Sequence, residues 1–227
     1  MKDWWLLKEC VGRLINCFDF VVSGGGKCLV LADSMARYVL LDDIDVSPYP
    51  GETVKGITSR VRSGEVQVTG YTRILIHLGS NDLSNMFDSR RYSDRRITIF
   101  DLMDRYVTLR NSIRMRNQSA VLLFSSILPR VNRWKLFKPF IRGVNFALRK
   151  LCAKTHGACI YIPLYDSFVF PKTELPRSAL FRDRDGLHLV GGGLDKFESL
   201  LRQAFSNGYL LDQVNSGETR VLANLKY

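Results

Sequence analysis

The stretch "LVLADSMARYV", residues 29–39, decides the fold. A continuous apolar run ends abruptly at Asp33-Ser34 and turns at once toward a short helical pattern. Successive apolar residues without alternation are the mark of a strand buried on both faces, as in a parallel sheet. Asp33 and Ser34 then have two readings. They are a helix cap, a place that Asp and Ser favour, or Ser34 is a nucleophile held at the mouth of the sheet.

The same rhythm continues along the chain. "RILIHLGS" (73–80), "AVLLFSSIL" (120–128) and "ACIYIPL" (158–164) are further buried runs, and "DIDVSPYPG" (43–51) holds a shorter one. Helical patterns separate them: "SMARYVLL" after the first strand, "ETVKGITSRVRSG" before "RILIHLGS", residues 97–117, residues 139–157 ending in a glycine suited to a C-cap, and 194–205. Strands alternating with helices predict an α/β domain with a central parallel sheet of about five strands and helices on both faces. In such sheets functional residues gather outside the carboxyl ends of the strands.

Residues 24–207 read as this one domain, entered through Gly24-Gly25-Gly26. Residues 1–23 read as an amphipathic N-terminal helix, and 208–227 as a mostly polar tail. Asp3, Lys8, Glu9 and Arg13 interrupt the N-terminal stretch, which makes it a poor signal peptide. No apolar run approaches the ~20 residues that span a bilayer. Five cysteines without a C-x-x-C pair argue against a disulfide framework and against a zinc site. The expectation is an intracellular, cytoplasmic protein with no metal and no cofactor.

Each strand end carries a residue with a chemical use. Asp33-Ser34 follows the first strand, Pro50-Gly51 the second, Gly79-Ser80-Asn81-Asp82 the third, and Asp185-Gly186-Leu187-His188 comes after the last strand and a longer loop. Ser34 is too weak a nucleophile at its free pKa and needs a base, for which His188 is the candidate. Asp185, three residues earlier, has the better spacing to orient that imidazole, with Asp166 and Asp183 as alternatives. The backbone N–H groups of Ser34 and Gly51 and the amide of Asn81 are candidate donors to the oxyanion of a tetrahedral intermediate. His77 lies inside a core strand and reads as a packed histidine, while His156 sits at a helix C-terminus, where a cation suits the dipole.

"LVLADSMAR", "YPGETV", "IHLGSND" and "DGLHLVGGG" together resemble the four sequence blocks of the SGNH (GDSL-type) hydrolase superfamily. Ser34 matches the serine of the first block, Gly51 the glycine of the second, Asn81 the asparagine of the third, and Asp185 with His188 the last. The resemblance implies a flavodoxin-like three-layer α/β/α sandwich and a serine esterase mechanism acting on an ester small molecule or lipid. There are departures: Ala32 stands where the first block usually has glycine, Gly56 and Gly64 are nearby alternatives to Gly51, and Val190 stands where many relatives have a small polar residue. Within the superfamily, "SSILPRVNRW", "VNFALRKLC" and "LFRDRDGLHLVGGG" look most like the esterase domain of the first open reading frame of non-LTR retrotransposons.

Charge supplies the rival reading. There are 33 Lys and Arg against 22 acids, a net charge of +11, and such an excess attracts polyanions. Arg90, Arg91, Arg95 and Arg96 cluster, and Arg130, Arg133 and Lys135 interleave with Trp134 and Phe137. Basic residues mixed with aromatics can track a phosphate backbone and stack bases, so RNA is the alternative partner. A solvated loop with Trp134 as a lid over the ester pocket is the competing reading of the second group.

Overall fold

The computed structural model describes residues 26–87, 98–155 and 159–206. Five parallel strands form its centre: β1 (Lys27–Ala32), β2 (Ile44–Pro48), β3 (Tyr71–His77), β4 (Val121–Ser125) and β5 (Cys159–Ile162). Their order, β2-β1-β3-β4-β5, is the flavodoxin-like doubly wound order. The helices are α1 (Val54–Ser63), α2 (Ser80–Phe87), α3 (Ile99–Arg116), α4 (Trp134–Ala153) and α5 (Gly192–Phe205).

Strand side chains alternate between two cores because successive residues point to opposite faces. Leu29, Leu31, Ile74, Ile76, Leu122 and Phe124 pack with α1 to α4. Val30, Ala32, Leu75, Leu123, Ile160 and Ile162 pack with α5 and the loop residues Phe168 and Phe181. Both sets are buried, which is why the strands read as continuous apolar runs rather than alternating ones. Among the described residues the two faces are unequal, α1 to α4 on one and α5 alone on the other.

Local chemistry sets the boundaries. Thr53 caps α1 by accepting the Gly56 N–H, and Gly64 ends that helix in the left-handed region at φ 87°. Thr98 and Asp101 form a reciprocal capping box at the start of α3. Among the described residues, no helix is long and apolar enough to cross a membrane.

Two sequence expectations need correction. "SMARYVLL" forms no α-helix: Ser34–Ala36 is a single 3-10 turn, and the chain then turns toward β2. The Asp33 carboxylate takes the Met35 N–H, and the Leu40 N–H is taken by Glu198 on α5 rather than by a helical carbonyl. Asn81 and Asp82 lie in the first turn of α2, a helix not read from the sequence, which follows Gly79 at φ 107°. The helix expected over 139–157 begins at Trp134 and carries Pro139 inside it. The N-terminal helix of residues 1–23, His156, the expected cap Gly157 and the tail 208–227 lie outside the described residues.

Candidate active site

The carboxyl ends of β1, β2 and β3 and the loop before α5 bring the sequence candidates to one edge. Ser34 sits directly after β1, where the backbone is fixed by the Asp33 N–H donating to the His77 carbonyl at 3.1 Å. Its hydroxyl lies 2.9 Å from His188 Nε2. His188 Nδ1 lies 2.9 Å from Asp185 Oδ2. Asp185 Oδ1 accepts the backbone N–H groups of Leu187 and His188, each at 2.9 Å, so one carboxylate both folds the loop and faces the ring. Desolvation would raise the Asp185 carboxyl, but the hydrogen bonds from the His188 ring and the two backbone N–H groups outweigh it and hold its pKa low. Among the described residues neither Asp166 nor Asp183 bonds to the ring.

The loop is braced from outside. The Arg182 N–H donates to the His188 carbonyl and the Gly186 N–H to the Arg182 carbonyl, both at 2.7 Å. Gly186 has φ 58°, and a Cβ there would lie 2.7 Å from the Asn132 backbone nitrogen. Glycine is therefore required by both conformation and space, and the Val131 N–H closes the contact by donating to the Gly186 carbonyl at 2.8 Å.

The oxyanion candidates stand on the other side. Gly51 follows β2 at φ 81°, with no atom within 4 Å of a Cβ built there. Its alternatives are placed elsewhere, Gly56 inside α1 and Gly64 at that helix's end. Among the described residues the backbone N–H groups of Ser34 and Gly51 have no acceptor. One Asn81 amide hydrogen goes to the Glu52 carbonyl at 2.9 Å, leaving the second free. Asp82 accepts the Val54 N–H and an Arg105 guanidinium bond, each at 2.9 Å, and thereby ties the start of α2 to the start of α1. The Gly51 loop and Asn81 are thus held by the same pair of contacts.

Beneath Ser34 lies a residue that the sequence placed wrongly. Arg130 was a candidate for nucleic-acid contact, yet only 8% of it is exposed. Its guanidinium donates to the Ser80 carbonyl and to the Ser80 and Ser84 hydroxyls, and stacks 4.5 Å over the Phe137 ring. A buried group so engaged cannot reach a phosphate backbone. Its charge faces Asp33, which is 1% exposed, and each keeps one buried polar atom without a partner: Asp33 Oδ2 and Arg130 Nε. Burial pushes the Asp33 carboxyl up to about 6, against the pull of the Met35 N–H and of Arg130. Burial likewise brings Arg130 down to about 10. The usable signal was position: Arg130 follows β4 at the same sheet edge as Ser34.

Trp134 is not a lid. It is 8% exposed and stacks on Tyr165 at 6.3 Å and 28° within the core. Arg133 and Lys135 are exposed at the start of α4. Arg90, Arg91, Arg95 and Arg96 lie outside the described residues. A small cavity opens at Ser34, with His188, Arg37, Tyr38, Arg182 and Leu194 among its other walls.

No family model and no curated protein matches the sequence. The fold does have solved counterparts. A GDSL-like lipase from Bacteroides thetaiotaomicron is 13% identical with a TM-score of 0.63, over 86% of this chain and 96% of that one. A lipase from a goat rumen metagenome is 16% identical with a TM-score of 0.62, over 82% of this chain and 100% of that one. A catalytic mutant of an acetylxylan esterase from Geobacillus stearothermophilus is 13% identical with a TM-score of 0.61, over 82% and 96%. The chain therefore has the α/β fold of GDSL-like esterases and lipases.

Proposed function

We propose that the chain is a serine hydrolase of carboxylic esters, of the SGNH type. The observation that carries this reading is the chain of two 2.9 Å contacts from Ser34 through His188 to Asp185. With Nδ1–H donated to Asp185, Nε2 is left as the acceptor of the Ser34 proton. Ser34 Oγ attacks the ester carbonyl while His188 takes its proton, and the negative oxygen is met by the N–H groups of Ser34 and Gly51 and the free Asn81 hydrogen. His188 then gives the proton to the departing alcohol. A water, deprotonated by the same ring, attacks the acyl-enzyme and releases the acid and Ser34.

The esterase and lipase counterparts of the fold support this class of reaction. Short acyl groups are the preferred ones in this reading. The resemblance of residues 125–134, 144–152 and 180–193 to retrotransposon esterase domains supports an origin in such an element. Of the candidate polyanion contacts, burial removes Arg130 and leaves Arg133 and Lys135 on the described surface.

Hydrolysis of p-nitrophenyl acetate and its longer-chain homologues, run beside Ser34→Ala, tests the reading. Turnover that falls with chain length and disappears in the variant is expected. Equal rates for the two proteins on every ester would refute it.

A further inference from the structure

The cavity beside Ser34 has a charge character that ester hydrolysis alone does not require. Arg37 and Arg182 line it from two different segments, the turn after β1 and the His188 loop, and both are exposed. Hydrophobic contact comes from Tyr38 and Leu194, and no carboxylate is among the lining residues. Other described arginines are ion-paired: Arg60 with Glu52, Arg105 with Asp82, Arg142 with Glu174 and Arg202 with Asp42. Among the described residues Arg37 and Arg182 have no such ion pair. The Arg37 guanidinium lies only over the Tyr38 ring, 5.8 Å from its centroid.

The position of the cavity says which part of an ester enters it. A tetrahedral intermediate on Ser34 points its oxyanion at Gly51 and Asn81, neither of which lines the cavity. Its leaving oxygen must point at His188, the group that protonates it, and His188 does line the cavity. The alcohol part therefore lies between His188, Arg37 and Arg182.

Resting on the hydrolase reading above, we propose that the preferred substrates are esters of an alcohol that carries an anionic group, phosphate or carboxylate, held by Arg37 and Arg182. The guanidinium forks suit planar or tetrahedral oxyanions, and the net positive charge of the chain draws such substrates in.

A matched pair of soluble esters tests this: 4-acetoxybenzenesulfonate, with an anionic leaving group, and 4-acetoxybenzenesulfonamide, with a neutral one of the same shape. At low salt kcat/KM for the sulfonate is expected to exceed that for the sulfonamide about tenfold, the combined effect of two partly exposed charge contacts. The ratio should shrink as sodium chloride is raised, and collapse toward one in the Arg37→Gln/Arg182→Gln double variant. A ratio of one or less in the unmodified protein, with both esters still cleaved in a Ser34-dependent way, overturns the proposal and leaves the hydrolase reading standing. If neither ester is cleaved, calorimetric titration of Ser34→Ala with 4-hydroxybenzenesulfonate and its sulfonamide reads the cavity without turnover. Preference for the sulfonate that disappears when both arginines are replaced supports the site, and equal binding overturns it. Hexanoyl-lysophosphatidic acid against hexanoylglycerol, both within the short acyl range expected above, then separates the sources. Faster release of fatty acid from the phosphate ester assigns a lipid headgroup, and release from neither assigns a soluble anionic alcohol.

Discussion

Two histidine–serine pairs occur in this molecule, and only one has the geometry that the proposed reaction needs. His188 Nε2 faces Ser34 Oγ at 2.9 Å, and His77 Nδ1 faces Ser125 Oγ at 2.7 Å. The second pair is the shorter, yet its protons run the wrong way. Ser125 donates its hydroxyl hydrogen to the Ile76 carbonyl, so His77 must be the donor and Ser125 the acceptor. No carboxylate bonds to His77 among the described residues. Its ring packs against Phe197 at 5.0 Å, and burial drives its pKa down to about 4. At the sheet edge the direction is reversed, because Asp185 takes the Nδ1 hydrogen and frees Nε2 to accept. What separates a nucleophile from a structural hydroxyl is the third group and access to solvent, not the distance between the first two.

Replacing each serine is the largest test of this contrast. Ser34→Ala is expected to lower kcat/KM for p-nitrophenyl acetate by at least about a thousandfold. Ser125→Ala should leave turnover near that of the unmodified protein and lower the unfolding free energy by about 1–2 kcal/mol, since a buried His77 N–H loses its acceptor. Equal loss of activity in both variants would erase the distinction. The Asp185→Asn substitution sharpens it. Asp185 Oδ1 accepts two backbone N–H groups, so the amide oxygen of an asparagine must stay there. Its NH2 then faces His188 Nδ1 and forces the hydrogen onto Nε2, making the ring a donor toward Ser34, as His77 is toward Ser125. Activity should fall by a factor on the order of 10⁴ with little change in thermal midpoint. A fall of less than about tenfold would show that the carboxylate does not set the tautomer.

Most of the reactive pair was legible in sequence, and most of what lies beneath it was not. Ser34 stood out because an apolar run stopped at it, and a strand buried on both faces can only deliver its next residue to the sheet edge. Asp185 and His188 stood out because three residues is the reach of one tight loop. α2 was missed because Gly79, Asn81 and Asp82 are turn formers by propensity, and their helical state depends on Asp82 pairing with Val54 and Arg105, residues distant in the chain. Arg130 and Trp134 were misread for a related reason. Their neighbours Arg133 and Lys135 are exposed, so composition could not separate a buried cation from a solvated one. The acceptors that make burial of Arg130 tolerable belong to Ser80 and Ser84, distant in the chain.

Arg130 gives the next test. Arg130→Met fills the space but strips Asp33 of its facing charge and leaves the Ser80 carbonyl without this donor. Loss of the buried guanidinium leaves the Ser80 carbonyl and the Ser80 and Ser84 hydroxyls without their donor and should lower the unfolding free energy by about 2–4 kcal/mol. Arg133→Met, three residues on and exposed, should change it by no more than about 0.5 kcal/mol. Urea unfolding of the two variants measures both. Equal midpoints would mean that Arg130 is solvated, and its earlier reading as a surface contact would return.

The last effect concerns pH, and two buried groups oppose each other in it. His77 has its pKa lowered from an ordinary 6.5 to about 4, so the stability it contributes is complete above pH 6.5 and is lost as pH falls toward 4. Asp33 has its pKa raised from 3.8 to about 6, so its contribution is complete below pH 3.8 and is lost as pH rises through 6. Acidification therefore weakens the fold at His77 while relieving it at Asp33, and the unmodified protein shows little net slope from these two groups. A His77→Gln variant removes one side of the balance. Its amide still has an N–H for Ser125, but it cannot take up a proton on unfolding. The stability difference between the unmodified protein and this variant should shrink by about 2–3 kcal/mol between pH 7 and pH 4.5, read from urea unfolding at each pH. A difference that stays constant with pH would place a titrating His77 in contact with water. The buried pair would then resemble the one at Ser34 in access, leaving the carboxylate alone to tell them apart.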